Sequence, residues 1–225
     1  MILCQNCKVR EFGPFKSLSN LELEEVHQNK IAYTFEKGDV LFEEGNALNG
    51  MFCIRSGVCK LMKLSGNGRH QIVKLVSSGD TIGQRSLVSD ERTNLKAIAL
   101  NEVRACFIPK SKILKWLNHN PRLSIGMLKC LAKDLKSADD NIVKMAQKSV
   151  AQRLGDMLLF CETQFGVNNE GYFNVMFSRD DYANLIGTTT ESAIRALSNF
   201  RKNGVIQTYG KQIKILKPQT LKQLR

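Results

Sequence analysis

The order of hydrophobic and polar positions divides the 225-residue chain into stretches of different texture. Between Ile31 and about residue 108, short runs rich in β-branched and aromatic residues alternate with glycine turns, a pattern typical of an antiparallel β-barrel or β-sandwich. The clearest turn, at 65–68, predicts a hairpin. Ahead of this region, Ser19 and Glu22 have the spacing of a capping box, which predicts a helix to about residue 30.

Helical periodicity begins after Pro109. Six apolar residues follow one another at intervals of 3, 4, 3, 4 and 3 positions, which is the heptad seam of a helix that pairs with a second helix: Leu128, Leu131, Leu135, Ala138, Ile142 and Met145. Charged residues flank this narrow seam. We therefore expect a dimerisation helix at 121–148, and the alternative is an amphipathic helix that packs on its own domain.

The region that follows has the spacing of a helix-turn-helix. Ser178 is a candidate cap for one helix, Gly187 lies where a tight turn needs a positive φ, and residues 188–190 can cap a second helix that runs to about Lys202. Beyond it, the chain predicts two short strands that turn at 209–211, as in the wing of a winged helix.

The charge of the chain favours a polyanionic partner. Lys and Arg number 33 against 21 Asp and Glu, a formal charge of +12, and no acidic residue follows Glu191. The cations in this last stretch are Arg195, Arg201, Lys202, Lys211, Lys214, Lys217, Lys222 and Arg225.

No apolar run approaches the ~18 residues of a membrane span. The odd count of seven cysteines, irregularly spaced, is typical of reduced thiols and predicts a cytoplasmic protein.

The second helix of the motif carries side chains that can read DNA bases. Glu191 and Arg195 are four positions apart and so share one face. A guanidinium can bond bidentately to guanine, and a carboxylate can accept from cytosine. A surface ion pair is the alternative for these two residues. The candidate DNA contacts are Thr189, Thr190, Glu191, Ile194, Arg195, Ser198, Lys202 and Lys211.

A turn-rich β-roll, a long helix and a winged helix-turn-helix, in this order, resemble the CRP/FNR family of bacterial transcription regulators over essentially the whole chain. The most specific match is at 190–195, similar to the family's E-x-x-x-R recognition signature, followed by Gly204 and the Gly210-Lys211 turn. The resemblance implies an α+β fold in three parts: an N-terminal antiparallel β-roll (a double-stranded β-helix of the cyclic-nucleotide-binding type) at 1–120, the dimerisation helix at 121–148, and the winged helix-turn-helix at 149–225.

The same resemblance implies a function. Such a protein binds a palindrome in double-stranded DNA as a homodimer, recruits RNA polymerase, and is controlled by a small effector or by its conformational state. It is not an enzyme and has no membrane partner. The alternative from another class is a β-roll binding module whose basic tail binds polyanions without sequence preference.

The effector region departs from the cyclic-AMP-binding branch of the family. That branch holds the ribose with a glutamate and the phosphate with an Arg-Ser pair. Here Gln84 replaces the glutamate, and Arg85 is foreign to the motif. Cyclic AMP is therefore disfavoured, while a different small anion or no ligand at all stays open. The candidate pocket residues are Gln84, Arg85, Ser86, Arg92, Thr93 and Asp139.

A second branch of the family senses oxygen with an iron–sulfur cluster on a C-x2-C-x5-C motif and one distant cysteine. Three cysteines match these positions: Cys4, Cys7 and Cys106. Gly13 stands at the remaining position, and such clusters normally take four cysteines. Cys53 or Cys59 could be recruited, although both positions are typical of small buried hydrophobes. No cofactor is therefore predicted with certainty, and an oxygen- or redox-responsive regulator stays as an alternative.

Overall fold

The computed structural model describes residues 4–66 and 68–224. The chain forms two compact units. The first consists of residues 4–64 and 73–137, and the second contains the described parts of 65–72 and 138–225. Because the division falls inside one long helix, the domain limits expected from the sequence stay a prediction.

The first unit begins with short helical elements. Two 3-10 turns, Cys4–Asn6 and Pro14–Ser17, flank helix α1 at Lys8–Phe12, and helix α2 follows at Asn20–Asn29. The capping box of α2 is confirmed: the hydroxyl of Ser19 accepts the N–H of Glu22 at 3.3 Å, and the Glu22 carboxylate accepts the Ser19 N–H at 2.7 Å. Local sequence alone is thus enough to start this helix.

The strands between residues 31 and 109 form a roll of two four-stranded antiparallel sheets. In the described residues they are β1 Ile31–Phe35, β2 Val40–Phe42, β3 Gly50–Ser56, β4 Cys59–Leu64, β5 His70–Val76, β6 Thr81–Ile82, β7 Lys96–Ala99 and β8 Val103–Pro109. One sheet has the order β1-β8-β3-β6 and the other β2-β7-β4-β5. The strands β4 and β5 form the hairpin predicted at 65–68, where Asn67 lies outside the described residues. Helix α3, Gln84–Ser89, connects β6 to β7.

The strands β3 and β8 pair in the centre of the first sheet, and their side chains contribute to two hydrophobic cores. Phe52 lies opposite Phe107 and faces the core between the two sheets, and their ring centroids are 4.9 Å apart. Cys53 lies opposite Cys106, and both face the other side of the sheet. This alternation follows from the period of two in a strand.

Helices cover the outer side of that sheet. Helix α4 spans Lys110–His119 and helix α5 spans Pro121–Gln147, about 40 Å at 1.5 Å per residue. The side chains of Ile113, Trp116, Leu123 and Met127 pack there with those of α1 and α2. No helix in the part of the chain described here is both long enough and apolar enough to cross a membrane.

The residues of the predicted seam on α5 differ in their exposure to solvent. Leu131 is partly buried against the core of the first unit. Leu128, Leu135 and Ile142 are 58%, 65% and 67% exposed, and Ala138 is also exposed. The exposed stripe begins earlier than expected from the sequence, at Ile125, which is 52% exposed.

The second unit contains the predicted helix-turn-helix and wing. Its further elements are α6 Val150–Phe165, α7 Arg179–Ile186, α8 Thr190–Lys202, β9 Ile206–Tyr209, β10 Gln212–Ile215 and α9 Pro218–Lys222. The strands β9 and β10 pair antiparallel around the turn at Gly210, as the sequence predicts. Leu154, Leu158, Phe177 and Tyr182 are fully buried at the centre of this unit.

A pH-dependent contribution to stability is expected from Glu25. Its carboxylate accepts from the indole of Trp116 at 2.9 Å and from Lys115 at 3.2 Å, and these contacts, chiefly that with Trp116, lower the pKa of Glu25. A lowered folded-state pKa stabilises the protein above the unfolded-state value of about 4.3, and the contribution disappears as the pH falls through the folded-state value. Glu25→Gln should therefore reduce the free energy of unfolding near neutral pH, by an amount that shrinks in acid.

The measurement is urea unfolding followed by circular dichroism at several pH values. Glu24→Gln, one residue earlier on α2, is the control and should follow the wild-type pH profile. A deficit in Glu25→Gln that stays constant from neutral pH to acid would contradict the role assigned to the carboxylate.

Candidate nucleic-acid interface

The turn between α7 and α8 is built by local signals. The Ser178 N–H donates to the Asp181 carboxylate at 2.9 Å, and the Asp181 N–H donates to the Ser178 hydroxyl at 3.0 Å, which completes a capping box at the start of α7. Gly187 ends this helix with φ +62°, and its N–H bonds to the carbonyl of Ala183. The prediction of a tight glycine turn here is confirmed.

Apolar contacts fix the rotation of α8. Ala193, Leu197 and Phe200 are buried, and they recur at the spacing of one helix face. Ala183 and Ile186 of α7 are each 1% exposed. Because this face of α8 is committed to the core, the side chains on the opposite face are presented to solvent.

The outward face of α8 carries the predicted base-reading side chains. Glu191 and Arg195 are exposed, and Ile194 is 46% exposed. The Arg195 guanidinium donates to the Ser192 hydroxyl at 3.1 Å. Among the described residues, no salt bridge joins Arg195 to Glu191. The structure therefore does not support the surface ion pair that was the alternative for these two residues.

Hydrogen bonds order the first turn of α8. The Thr189 hydroxyl accepts the N–H of Ser192 at 3.3 Å and caps the helix, and the Thr190 hydroxyl donates to Asp180 at 3.2 Å. The Glu191 carboxylate has a lowered pKa, because its own backbone N–H, and then the Thr189 hydroxyl, stabilise the charged form. An ionised, oriented carboxylate can accept from an exocyclic amine of a base.

The remaining predicted contacts lie on the same unit. Ser198 is half-buried on α8, whereas Lys202, at the end of α8, and Lys211, at the wing turn, are exposed. Sequence reasoning did not single out Arg179, which donates to the carbonyl of Gly210 at 3.2 Å and so connects α7 to the wing. Arg225, counted in the basic tail, lies outside the described residues.

The predicted effector residues of the first unit bond to the protein itself. Gln84 is 5% exposed, and its amide donates to the Asp134 carboxylate at 3.2 Å, which also pairs with Lys74. The side-chain oxygen of Gln84 is buried without a hydrogen-bond partner among the described residues. Ser86, two residues further along α3, is buried, and the exposed Arg85 lies 3.8 Å from Glu91. Arg85 therefore has an acidic partner on the surface.

Arg92 and Thr93, which correspond to the Arg-Ser pair of the cyclic-AMP-binding branch, are also hydrogen-bonded to the protein. The Arg92 guanidinium donates to the carbonyl of Gly45 at 2.9 Å, and the buried Thr93 hydroxyl donates to the carbonyl of Glu43 at 2.6 Å. Asp139 is exposed and belongs to the second unit, so its part in an effector pocket stays a prediction.

Four thiols of the first unit line one small, open pocket: Cys4, Cys7, Cys53 and Cys106. Burial raises the pKa of Cys53 well above its usual range, and the neighbouring thiols add to this effect. Burial also raises the pKa of Cys106, against the opposing influence of Lys30 and Arg55. Both are therefore neutral thiols in this structure. The sequence motif pointed to three of the four, but not to Cys53.

Comparisons with known families match both units. The profile of the cyclic nucleotide-binding domain matches residues 33–120, and that of the Crp-like helix-turn-helix domain matches residues 152–224. The chain is 28% identical to the fumarate and nitrate reduction regulatory protein of Escherichia coli K12, over 99% of this chain and 90% of that protein. It is 26% identical to the CRP-like cAMP-activated global transcriptional regulator of Mycobacterium tuberculosis, over 80% of this chain and 82% of that protein.

Solved structures share the fold. FixK2 from Bradyrhizobium japonicum superposes with a TM-score of 0.77 at 23% identity, over 87% of this chain and 96% of that chain. A transcriptional regulator of the crp/fnr family from Eubacterium rectale superposes with a TM-score of 0.79 at 17% identity, over 93% of this chain and 96% of that chain.

The fold and the exposed helix α8 define a DNA-binding regulator in which a β-roll of the cyclic-nucleotide-binding type is joined to a winged helix-turn-helix. The chain belongs to the CRP/FNR family of transcription regulators. The predicted α+β fold is confirmed, and because the members of this family are regulators and not enzymes, so is the prediction of a non-enzymatic function.

A side chain at Gly187, in the turn before α8, should lower the thermal stability of the protein. An alanine there would have to adopt a left-handed backbone conformation, which costs about 1–2 kcal/mol. Its Cβ would lie 2.9 Å from the Met145 sulfur. Gly187→Ala should therefore lower the thermal midpoint more than Gly210→Ala, because Gly210 has a similar φ of +58° but open space around it. Circular dichroism melts measure both. Equal losses would show that the contact with Met145 has no energetic weight.

Proposed function

We propose that this protein is a homodimeric transcription regulator that binds a palindromic operator in bacterial double-stranded DNA. Each subunit inserts α8 into the major groove, and the wing and basic tail contact the phosphate backbone. Half-sites of such a dimer lie ~34 Å apart, one turn of DNA. The regulator acts in the cytoplasm, and RNA polymerase is its partner at the promoter.

The observation that carries this proposal is the arrangement of α8. Its inner face is buried, its start is held by Thr189, and its outward face presents Glu191, Ile194 and Arg195. Arg195 can bond bidentately to guanine, Glu191 can accept from cytosine, and Ile194 can contact a thymine methyl group. These three groups together can read a short half-site.

Arg195→Ala should reduce affinity for an operator selected from a pool of random duplexes by about 1–3 kcal/mol, and the loss should be confined to one base pair of each half-site. The removed guanidinium reads a base, so binding to random duplex should change little. The measurement is fluorescence anisotropy with the operator, single-base variants of it and random duplex at fixed salt, because affinity for DNA depends steeply on salt.

Arg201→Ala is the matched control. It removes the same charge from the same exposed helix, about 240° around its axis from Arg195. Its effect should be the same for every sequence. If Arg195→Ala also weakens operator and random duplex equally, α8 does not read bases through Arg195, and non-specific binding by the basic tail becomes the better account.

The proposed dimer interface is the exposed apolar stripe of α5. Leu128, Leu135 and Ile142 recur at intervals of seven, and Ile125 extends the stripe toward the start of the helix. Such heptads support pairing of two parallel helices. Asp139 lies between Leu135 and Ile142 on this stripe, and a polar residue in a seam lowers stability while it fixes register.

Leu135→Asp should convert the protein to monomers, because it places a second carboxylate in each half of the stripe. Sedimentation velocity measures the result. Ser137→Asp, which adds the same charge about 200° around the helix, should leave the dimer intact. A Leu135→Asp variant that sediments as a dimer would locate the interface on another surface.

Control by cyclic AMP is not part of the proposal. The relative from Mycobacterium tuberculosis is a cAMP-activated regulator. Here Gln84 bonds to Asp134, Arg92 to Gly45 and Thr93 to Glu43, so these polar groups have protein partners. The regulator is controlled by its conformational state, or by a small anion that recruits Arg85.

A further inference from the structure

The connection between α5 and α6 is very short. Helix α5 ends at Gln147 and α6 begins at Val150, so Lys148 and Ser149 alone join them. The Ser149 hydroxyl accepts the N–H of Gln152 at 3.3 Å and starts the new helix. Because the last carbonyls of a helix have no N–H partners within it, the end of α5 needs hydrogen-bond donors from another part of the chain.

Arg153 on α6 supplies such donors. Its guanidinium nitrogen Nη1 donates to the carbonyl of Met145 at 3.0 Å and to that of Lys148 at 2.8 Å. The nitrogen Nη2 donates to the carbonyl of Gly187 at 3.4 Å. Gly187 ends α7, three residues before α8 begins at Thr190. One side chain therefore bonds to the end of α5, to the connection that follows it and to the turn of the helix-turn-helix.

An apolar contact accompanies these hydrogen bonds. A Cβ at Gly187 would lie 2.9 Å from the Met145 sulfur, so the side chain of Met145 fills the space beside the turn. Met145 thus meets the turn directly through its side chain and, by way of Arg153, through its carbonyl. The Nε of Arg153 is buried without a hydrogen-bond partner among the described residues. The guanidinium is therefore enclosed by protein at its base and reaches the three carbonyls with its far end.

The chemistry of these contacts requires an arginine. A guanidinium is planar and presents its donors in a fixed fork, whereas the ammonium group of a lysine is a compact charge on a flexible stem. The fork fixes the directions of the three carbonyls as well as their distances. The last turn of α5 and the start of α8 are thereby held in one relative orientation.

We propose that Arg153 is a positioning residue that sets the separation of the two copies of α8 in the dimer, and so the spacing of the half-sites that the protein accepts. This inference rests on the proposed function, in which two subunits pair along α5. In such a dimer, each α8 meets the DNA in an orientation given by the end of its own α5. The spacing of the half-sites then mirrors the separation of the two recognition helices.

The geometry of DNA makes this spacing a sensitive measure of the orientation of α8. One base pair added between the half-sites moves one of them by about 3.4 Å and rotates it by about 34° around the DNA axis. A dimer with a fixed α8 cannot follow both changes, whereas a dimer whose α8 swings at Gly187 can. Arg153 lies on α6 and not on the outward face of α8, so its loss should leave the reading of bases unchanged.

The experiment compares the full-length wild type with Arg153→Ala and Arg153→Lys. The wild type first selects an operator from a pool of random duplexes. Fluorescence anisotropy at fixed salt then measures affinity for this operator, for versions with one base pair added or removed at its centre, for single-base variants of a half-site and for random duplex. Circular dichroism confirms that each variant is folded.

The wild type should bind the selected spacing at least about tenfold more tightly than either altered spacing. Arg153→Ala should reduce this preference to about threefold or less, because α8 is no longer fixed to the end of α5. Arg153→Lys should behave like Arg153→Ala, since it keeps the charge but loses the fork. Both variants should discriminate between bases within a half-site, and bind random duplex, as the wild type does.

Lys148→Ala is the matched control. It removes a cation from the same connection, where the ammonium group of Lys148 bonds to Asp156 at 2.6 Å, and it keeps the backbone carbonyl that Arg153 binds. Its spacing preference should equal that of the wild type. A loss as large as that in Arg153→Ala would assign the effect to charge at the connection and contradict the role of the fork.

The outcomes separate this inference from the function on which it rests. A folded Arg153→Ala that keeps the wild-type spacing preference would overturn the inference alone. If Arg153→Ala does not fold, Arg153→Lys with the wild-type preference would do the same, as would a wild type that enriches a palindrome but binds every spacing equally. A wild type that enriches no palindrome would refute the proposed function, and this inference with it.

Discussion

The pairing of β3 with β8 is the constraint on which the first unit depends. One register sets Phe52 against Phe107 inside the roll and Cys53 against Cys106 beneath the helices. A shift by one residue would exchange the two faces and place sulfurs between the sheets and phenyl rings under the helices. The register therefore determines at once the packing of the roll and the composition of the outer core.

The second unit depends on shorter-range signals, and for this reason more of it could be predicted from the sequence. The capping box at Ser178, the positive φ of Gly187 and the wing turn at Gly210 each require only a few neighbouring residues. These local features fix where α8 begins, and the apolar residues at 193, 197 and 200 fix which of its faces is buried. Outward exposure of Glu191 and Arg195 follows from them without knowledge of the rest of the fold.

The pairing of strands that are distant in the chain could not be predicted from such local signals. Cys53 and Cys106 are separated by more than fifty positions, and only the sheet order makes them neighbours. The heptad count likewise treated Leu131 and Leu135 alike, although the first unit partly buries Leu131 and leaves Leu135 exposed. Periodicity identifies an apolar face, whereas the choice between an intramolecular and an intermolecular partner depends on tertiary packing.

Trp116, the single tryptophan of the chain, packs in the same outer core as Cys53 and Cys106. Its indole is 4% exposed and donates to the Glu25 carboxylate, so its emission originates inside this core. The fold thus contains its own optical probe of the first unit. Opening of the outer core can be followed in real time, without a label, by intrinsic fluorescence.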